Sequence, residues 1–268
     1  MTDLNALGPG PLQSLHTEEE WFDTYLAHAT GAREDLIPFP SDDVQVITNS
    51  AKGEHTARAA IAIWKTMYQS IQDVADPARD WSVLDYGCGW GRITRLLPYY
   101  FEAAGIHGAD VDARLVESAN ALLPAIRHRQ IKSMDTLPYE DEAFDLVFAN
   151  SVFSHLSQPS ATYTLGELSR LLKPGGVLLI SVLQARELST YYEAEATRAW
   201  ITGILGERRD AEATLDQDGF VWGDTRRWDN YGITIVSDAW LERAFSDIGV
   251  ALATSSSGAQ NYKLGIKQ

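Results

Sequence analysis

The spacing of apolar residues changes character several times along the chain, and each change marks an element. Trp81, Val83 and Leu84 form a short apolar run that suits a buried strand. Asp85 closes the run, Gly87, Gly89 and Gly91 alternate after it, and Ile93, Leu96 and Leu97 then recur at helical spacing. Ile106 to Asp110 predicts a second strand, and Asp112 reads as the cap of a helix over Ala113 to Leu122. His107 and His128 fall in predicted strands, and Phe144 to Asn150 is a further one. Pro174 is expected to stop a helix ending near Leu172, with Gly175 and Gly176 turning the chain into a strand through Val177 to Ile180. This βα alternation between about Trp81 and Ser181 implies a parallel sheet with helices on both faces. Further on, Ser237 reads as an N-cap before a helical face of Ala239, Trp240, Leu241, Ala244 and Phe245, which Gly249 ends. Val250 to Thr254 and Tyr262 to Lys267 predict two strands joined by a turn over Ser255 to Gly258.

Two segments lie outside this alternation. Residues 1–80 carry Gly8-Pro9-Gly10-Pro11 and then a helix from Thr17 to about Ala29, with Thr17 and Glu20 spaced as a capping box. The Pro-rich link Ile37-Pro38-Phe39-Pro40 follows, and then a longer helix from about Gly53 to Val74. The expected organisation is an N-terminal helical lid over 1–80 and a main domain over 81–268, with 184–236 as a substrate-side insert. The insert reads as helical from Leu188 to about Leu205 and ends in a polar-aromatic stretch from Phe220 to Tyr231.

A strand followed by a glycine turn and a helix brings backbone close to a ligand. The spacing here is Gly-x-Gly-x-Gly, not the Gly-x-Gly-x-x-Gly of dinucleotide sites, and no Gly-Lys-Ser/Thr follows, which excludes a P-loop. Asp110 stands 23 residues beyond Gly87, near the offset of a carboxylate that accepts from a ribose diol, as in NAD or S-adenosylmethionine (SAM) sites. With its Val-Leu-Asp-Tyr-Gly-Cys-Gly-Trp-Gly motif, the chain resembles the class I SAM-dependent methyltransferases. The resemblance continues through Asp110, Met134-Asp135-Thr136, Phe144 to Asn150 and the Pro-Gly-Gly stretch. It implies a Rossmann-like α/β fold, a seven-stranded sheet of order 3-2-1-4-5-7-6 with strand 7 antiparallel. It implies SAM as cofactor, with S-adenosylhomocysteine as product, and a cofactor site of Asp85, Gly87, Cys88, Gly89, Gly91, Asp110, Val111, Met134, Asp135, Thr136, Asn150 and Ser151. In it, Asp135 accepts from the adenine amine with Met134 or Thr136 beside the ring, and Asn150 and Ser151 flank the methionine end.

Composition narrows the acceptor. The net charge of −15 disfavours nucleic acid and anionic membranes as partners, because a protein that grips phosphates needs a basic surface. No apolar run reaches the ~18 residues of a membrane span, and the N-terminus lacks the pattern of a signal peptide. Cys88 is the only cysteine, which precludes an intrachain disulfide and, with those absences, makes a cytoplasmic location the default expectation. No His, Cys, Asp or Glu group has metal-ligand spacing, so no metal is expected. A small-molecule acceptor remains.

Methyl transfer is an in-line displacement that depends on alignment, and a hydroxyl acceptor also needs a base. His155, just beyond the predicted strand at 144–150, is the first candidate base, and His55 in the N-terminal segment is the second. Trp222, Trp228 and Tyr231 are expected to cover the acceptor. A hydroxyl of a sugar or metabolite is the first expectation. The rivals are a small amine, a catalytically inactive SAM-binding subunit and an NAD-dependent dehydrogenase.

Overall fold

The computed structural model describes residues 17–32, 39–49, 51–226, 231–257 and 260–268. Trp228, Gly8 to Pro11, Ile37 and Pro38, and part of the turn expected over Ser255 to Gly258 lie outside the described residues.

Seven strands form one sheet in the order β3-β2-β1-β4-β5-β9-β8, and β6 and β7 form a separate two-stranded sheet. Their ranges are β1 Val83–Tyr86, β2 Ile106–Asp110, β3 Arg127–Gln130, β4 Phe144–Ala149, β5 Leu172–Val182, β6 Phe220–Asp224, β7 Gly232–Val236, β8 Val250–Ser257 and β9 Asn261–Lys267. With the extra β6–β7 pair set aside, the order is the expected one. β9 runs antiparallel to β5 and to β8, while β1 pairs in parallel with β2 and β4. All four residues of β1 are buried, as a central parallel strand covered on both faces requires.

The chain divides into two compact units. The first comprises residues up to Lys132 together with Phe144–Phe148. It contains helices α1 (Glu18–Ala29), α2 (Asp42–Asn49), α3 (Gly53–Gln72) and α4 (Ala113–Leu122). The expected capping box starts α1: the Thr17 hydroxyl accepts from the Glu20 amide at 3.2 Å, and the Glu20 carboxylate accepts from the Thr17 amide at 2.8 Å. Asp112 caps α4 through the Arg114 amide at 2.9 Å, also as expected. One expectation fails: the segment after the glycine turn is not an α-helix but a six-residue 3-10 helix, Thr94–Tyr99. Pro98 lies inside it and has no amide to donate to the Thr94 carbonyl, so an α-helical turn cannot close there.

The second unit holds Ser133–Ala143 and the chain from Ala149 onward. Its helices are α5 (Gln158–Leu171), α6 (Ala185–Glu193), α7 (Glu195–Leu205), α8 (Arg208–Asp218) and α9 (Asp238–Asp247). Ser237 caps α9 through the Trp240 amide at 3.2 Å. Pro174-Gly175-Gly176 departs from expectation, because α5 ends at Leu171 and these residues lie within β5, not in a turn before it. The proline excludes helix for Lys173 and favours extended backbone at once, and pairing with β9 begins only at Val177. Residues 184–226 and 231–236 form a small subdomain of their own. They build three helices and the β6–β7 hairpin around a core that includes Leu188, Tyr192, Ile201, Leu215, Val221, Ile233 and Ile235.

Candidate active site

In the first unit the glycine loop leaves β1 with Gly87, Gly89 and Gly91 all at positive φ (77°, 56° and 80°), which a side chain would strain. A Cβ on Gly89 would stand 2.8 Å from Thr48, and one on Gly91 would stand 2.9 Å from Leu123. Packing inside the protein therefore already requires both glycines. The loop amides also turn inward. Gly87 and Cys88 donate to the Ala109 carbonyl at 2.7 and 3.1 Å, Gly91 to the Cys88 carbonyl at 3.0 Å, and Gly89 to the Asp110 carboxylate at 2.8 Å.

The other oxygen of Asp110 accepts from the Asp112 amide at 2.9 Å. Burial raises the Asp110 pKa above the ordinary carboxylate value, against the pull of these two amides. Each oxygen keeps a lone-pair direction for a further donor. Val111, the next residue, is exposed and apolar. Asp85 is buried and accepts from the Thr94 hydroxyl at 2.6 Å. Burial pushes its pKa up to about 7, with Thr94 opposing. Cys88 is buried, and burial raises its thiol pKa well above the ordinary value, so it stays a neutral packing group.

The N-terminal helices grip this loop from behind. The Trp21 indole donates to the Leu96 carbonyl at 3.1 Å, the Tyr25 hydroxyl to the Arg92 carbonyl at 2.7 Å, and the Trp90 indole to Thr48 at 3.1 Å. The buried Arg95 guanidinium donates to the carbonyls of Gly91 and Trp90 and lies 4.8 Å from the Trp90 ring centre. His55 is exposed in the first turn of α3, and Arg58 pairs with Glu54 on the same helix.

In the second unit, Met134, Asp135 and Thr136 are exposed, and Met134 has φ +62°. The loop that carries them is held from α5. Arg170 donates to the Leu137 and Tyr139 carbonyls (3.2 and 3.0 Å) and pairs with Asp141 and Glu167, while Glu167 accepts from the Leu137 amide at 2.8 Å. Asn150 is buried and accepts from the Tyr262 hydroxyl at 3.3 Å. Ser151 has φ +59°, its amide donates to the Ser181 hydroxyl at 2.6 Å, and its own hydroxyl accepts from Gln260. Strained non-glycine backbone at Met134 and Ser151 coincides with two positions singled out from the sequence, as strain often does at functional sites.

His155, Tyr231 and Trp222 come together. The imidazole stacks on the Tyr231 ring with centres 4.2 Å apart and planes 16° apart. Its Nδ1 lies 2.8 Å from the Gly232 carbonyl, and the Trp222 indole donates to the His155 carbonyl at 3.1 Å. Burial lowers the His155 pKa below the ordinary imidazole value, so the ring is neutral at pH 7.

Residues 83–176, from β1 to the Pro-Gly-Gly stretch, match the family described as a methyltransferase domain. Trans-aconitate 2-methyltransferase of Rhizobium rhizogenes is 37% identical over 99 residues, which is 37% of either chain. Malonyl-(acyl-carrier protein) O-methyltransferase of Hahella chejuensis is 28% identical over 181 residues, 67% of this chain and 62% of that one. The matches thus span less than two thirds of these curated relatives. A SAM-dependent methyltransferase of Methanosarcina mazei shares the fold with a TM-score of 0.52 at 14% identity, over 75% of this chain and 97% of that one.

The marked residues are also held by residues that the sequence left unmarked. Thr94, Thr48, Glu167, Arg170, Ser181, Gln260 and Tyr262 each fix a marked residue or its loop by a hydrogen bond or a packing contact. A hydroxyl, amide or ion pair on an amphipathic helix or a strand gives no local signal of such a role. No helix among the described residues is long and apolar enough to cross a membrane. No metal-ligating cluster occurs among the described residues.

Proposed function

We propose that this chain is a SAM-dependent methyltransferase that moves a methyl group to a hydroxyl of a small metabolite such as a sugar. The inward turn of the glycine loop carries this reading. A dinucleotide pyrophosphate needs loop amides free to donate, and those of Gly87, Cys88, Gly89 and Gly91 are engaged inside the protein. SAM has no phosphate and needs carboxylates for its hydroxyls and amine, which Asp110 and the exposed Asp135 offer. In this reading Asp110 and Val111 meet the ribose, Met134, Asp135 and Thr136 the adenine, and Asn150 and Ser151 the methionine end. Asp85, Gly87, Cys88, Gly89 and Gly91 shape the loop.

SAM, when bound, supplies an electrophilic methyl on a sulfonium. His155 is neutral at pH 7 and takes the proton of the acceptor hydroxyl as its oxygen attacks. Tyr231 and Trp222 border the acceptor, with residues 184–236 as the substrate-side insert and 1–80 as the N-terminal extension. Oxygen is also the receiving atom in the name of the Hahella relative. The net charge of −15 favours a neutral or cationic acceptor and supports a small amine as the second reading. The same charge and the absence of a membrane-length helix among the described residues support a cytoplasmic enzyme that does not bind nucleic acid.

Thermal unfolding with SAM, S-adenosylhomocysteine, NAD and NADP tests the cofactor. A ligand at one hundred times its Kd stabilises the folded state by about 2.7 kcal/mol. SAM and S-adenosylhomocysteine are expected to raise Tm, and a rise with NAD alone overturns the reading. His155→Gln is expected to lower kcat by roughly a hundredfold or more while SAM affinity stays unchanged. Full turnover by that variant favours the amine acceptor.

A further inference from the structure

The β6–β7 hairpin does more than extend the fold. Four of its hydrogen bonds end on the backbone of residues 154–156. The Gly232 amide and the Trp222 indole both donate to the His155 carbonyl, the Thr234 amide to the Ser154 carbonyl, and the Thr234 hydroxyl to the Leu156 carbonyl at 2.6 Å. Leu156 and Tyr231 form an antiparallel bridge in the same ladder. A fifth bond runs the other way, from the His155 ring to the Gly232 carbonyl.

That fifth bond assigns a proton. A carbonyl oxygen only accepts, so His155 Nδ1 must carry hydrogen. In the neutral ring the lone pair then sits on Nε2, which makes no hydrogen bond among the described residues. Position 232 admits only glycine in this packing, because a Cβ there would stand 2.3 Å from both the Gly223 carbonyl and the Trp222 indole nitrogen. Gly223 is wedged in turn, since a Cβ on it would stand 2.1 Å from the Ile204 carbonyl at the end of α7. The Tyr231 ring covers one face of the imidazole.

We infer that the hairpin fixes His155 as the Nδ1–H tautomer and presents Nε2 as its proton-accepting atom, with Trp222, Gly232 and Thr234 as positioning residues. The inference deepens the base role of His155 and rests on that reading for its catalytic meaning, but the tautomer can be observed without turnover. An enzyme that needs a base gains from holding one nitrogen bare, and the hydrogen bond on the other nitrogen decides which.

The test uses the full chain labelled with 15N-histidine, with the His155 signals assigned by their loss in His155→Gln. Long-range proton–nitrogen correlation at pH 7.5 is expected to show a protonated Nδ1 and a bare Nε2. Trp222→Phe and Thr234→Val each remove one donor and keep bulk. Both are expected to give mixed tautomer signals and to lower kcat roughly tenfold, with SAM Kd unchanged. An Nε2–H tautomer in the unaltered protein overturns the inference, as does a single unchanged tautomer with unchanged kcat in both variants. If His155→Gln keeps full turnover while the Nδ1–H tautomer is seen, the tautomer assignment stands and the base reading falls.

Discussion

At the scale of single residues, Asp85 shows how one buried carboxyl depends on one neighbour. Its folded pKa stands near 7 against 3.8 in an exposed chain, and the Thr94 hydroxyl holds it down. The folded state therefore binds a proton that the unfolded state releases between about pH 4 and pH 7. The contribution of Asp85 to stability is full below that window and falls as pH rises through it. Thr94→Val is expected to raise this pKa further and to cost about 1–3 kcal/mol at pH 7, the range for a buried group left without its partner. Urea unfolding of the variant at pH 5 and pH 7.5 checks both the cost and its growth with pH. Asp85 was legible in the sequence as the acid that closes a strand. Its partner was not, because a threonine nine residues on carries no mark of the fold that brings it back.

At the scale of elements, α5 acts on a loop it does not belong to. Arg170 and Glu167 hold the backbone of residues 137–139, directly after Met134, Asp135 and Thr136. Arg170→Met removes the donors to the Leu137 and Tyr139 carbonyls and leaves the Leu137 amide on Glu167. It is expected to raise SAM Kd about tenfold, the loss of roughly 1.4 kcal/mol, while the acceptor KM stays within twofold. Titration calorimetry with SAM reads the first quantity and steady-state kinetics the second. Equal affinity for SAM in the variant would separate this loop from the cofactor. The end of the helix was legible from the proline after it. Its ion pair reads in the sequence only as charges on a solvated face, since Arg170 reaches Asp141 across 29 positions.

For the whole molecule, two buried histidines contribute to the response to acid. His107 and His128 are held near pKa 4 by burial, with Arg127 and Arg129 adding to the effect on His107 and Arg95 to that on His128. Both are neutral in either state above pH 6.5, and below it the unfolded chain takes up protons first. Their stabilisation is therefore present above about pH 6.5 and lost as pH falls towards 4. A series of Tm values from pH 7.5 to 4 is expected to fall, and His128→Leu to flatten that fall; an equal slope in the variant would assign the acid sensitivity elsewhere. The sequence by itself determined the alternation of strands and helices, the caps at Thr17, Asp112 and Ser237, and the glycine loop with its acids. These depend on periodicity, side-chain oxygens and positive φ, all properties of neighbouring residues. Tertiary structure alone decided the 3-10 form after the loop, the inward turn of the loop amides and the β6–β7 hairpin. It also decided the meeting of His155 with Gly232 across 77 positions. Such pairings depend on which strands lie side by side and in what register, and that is fixed by packing between distant segments.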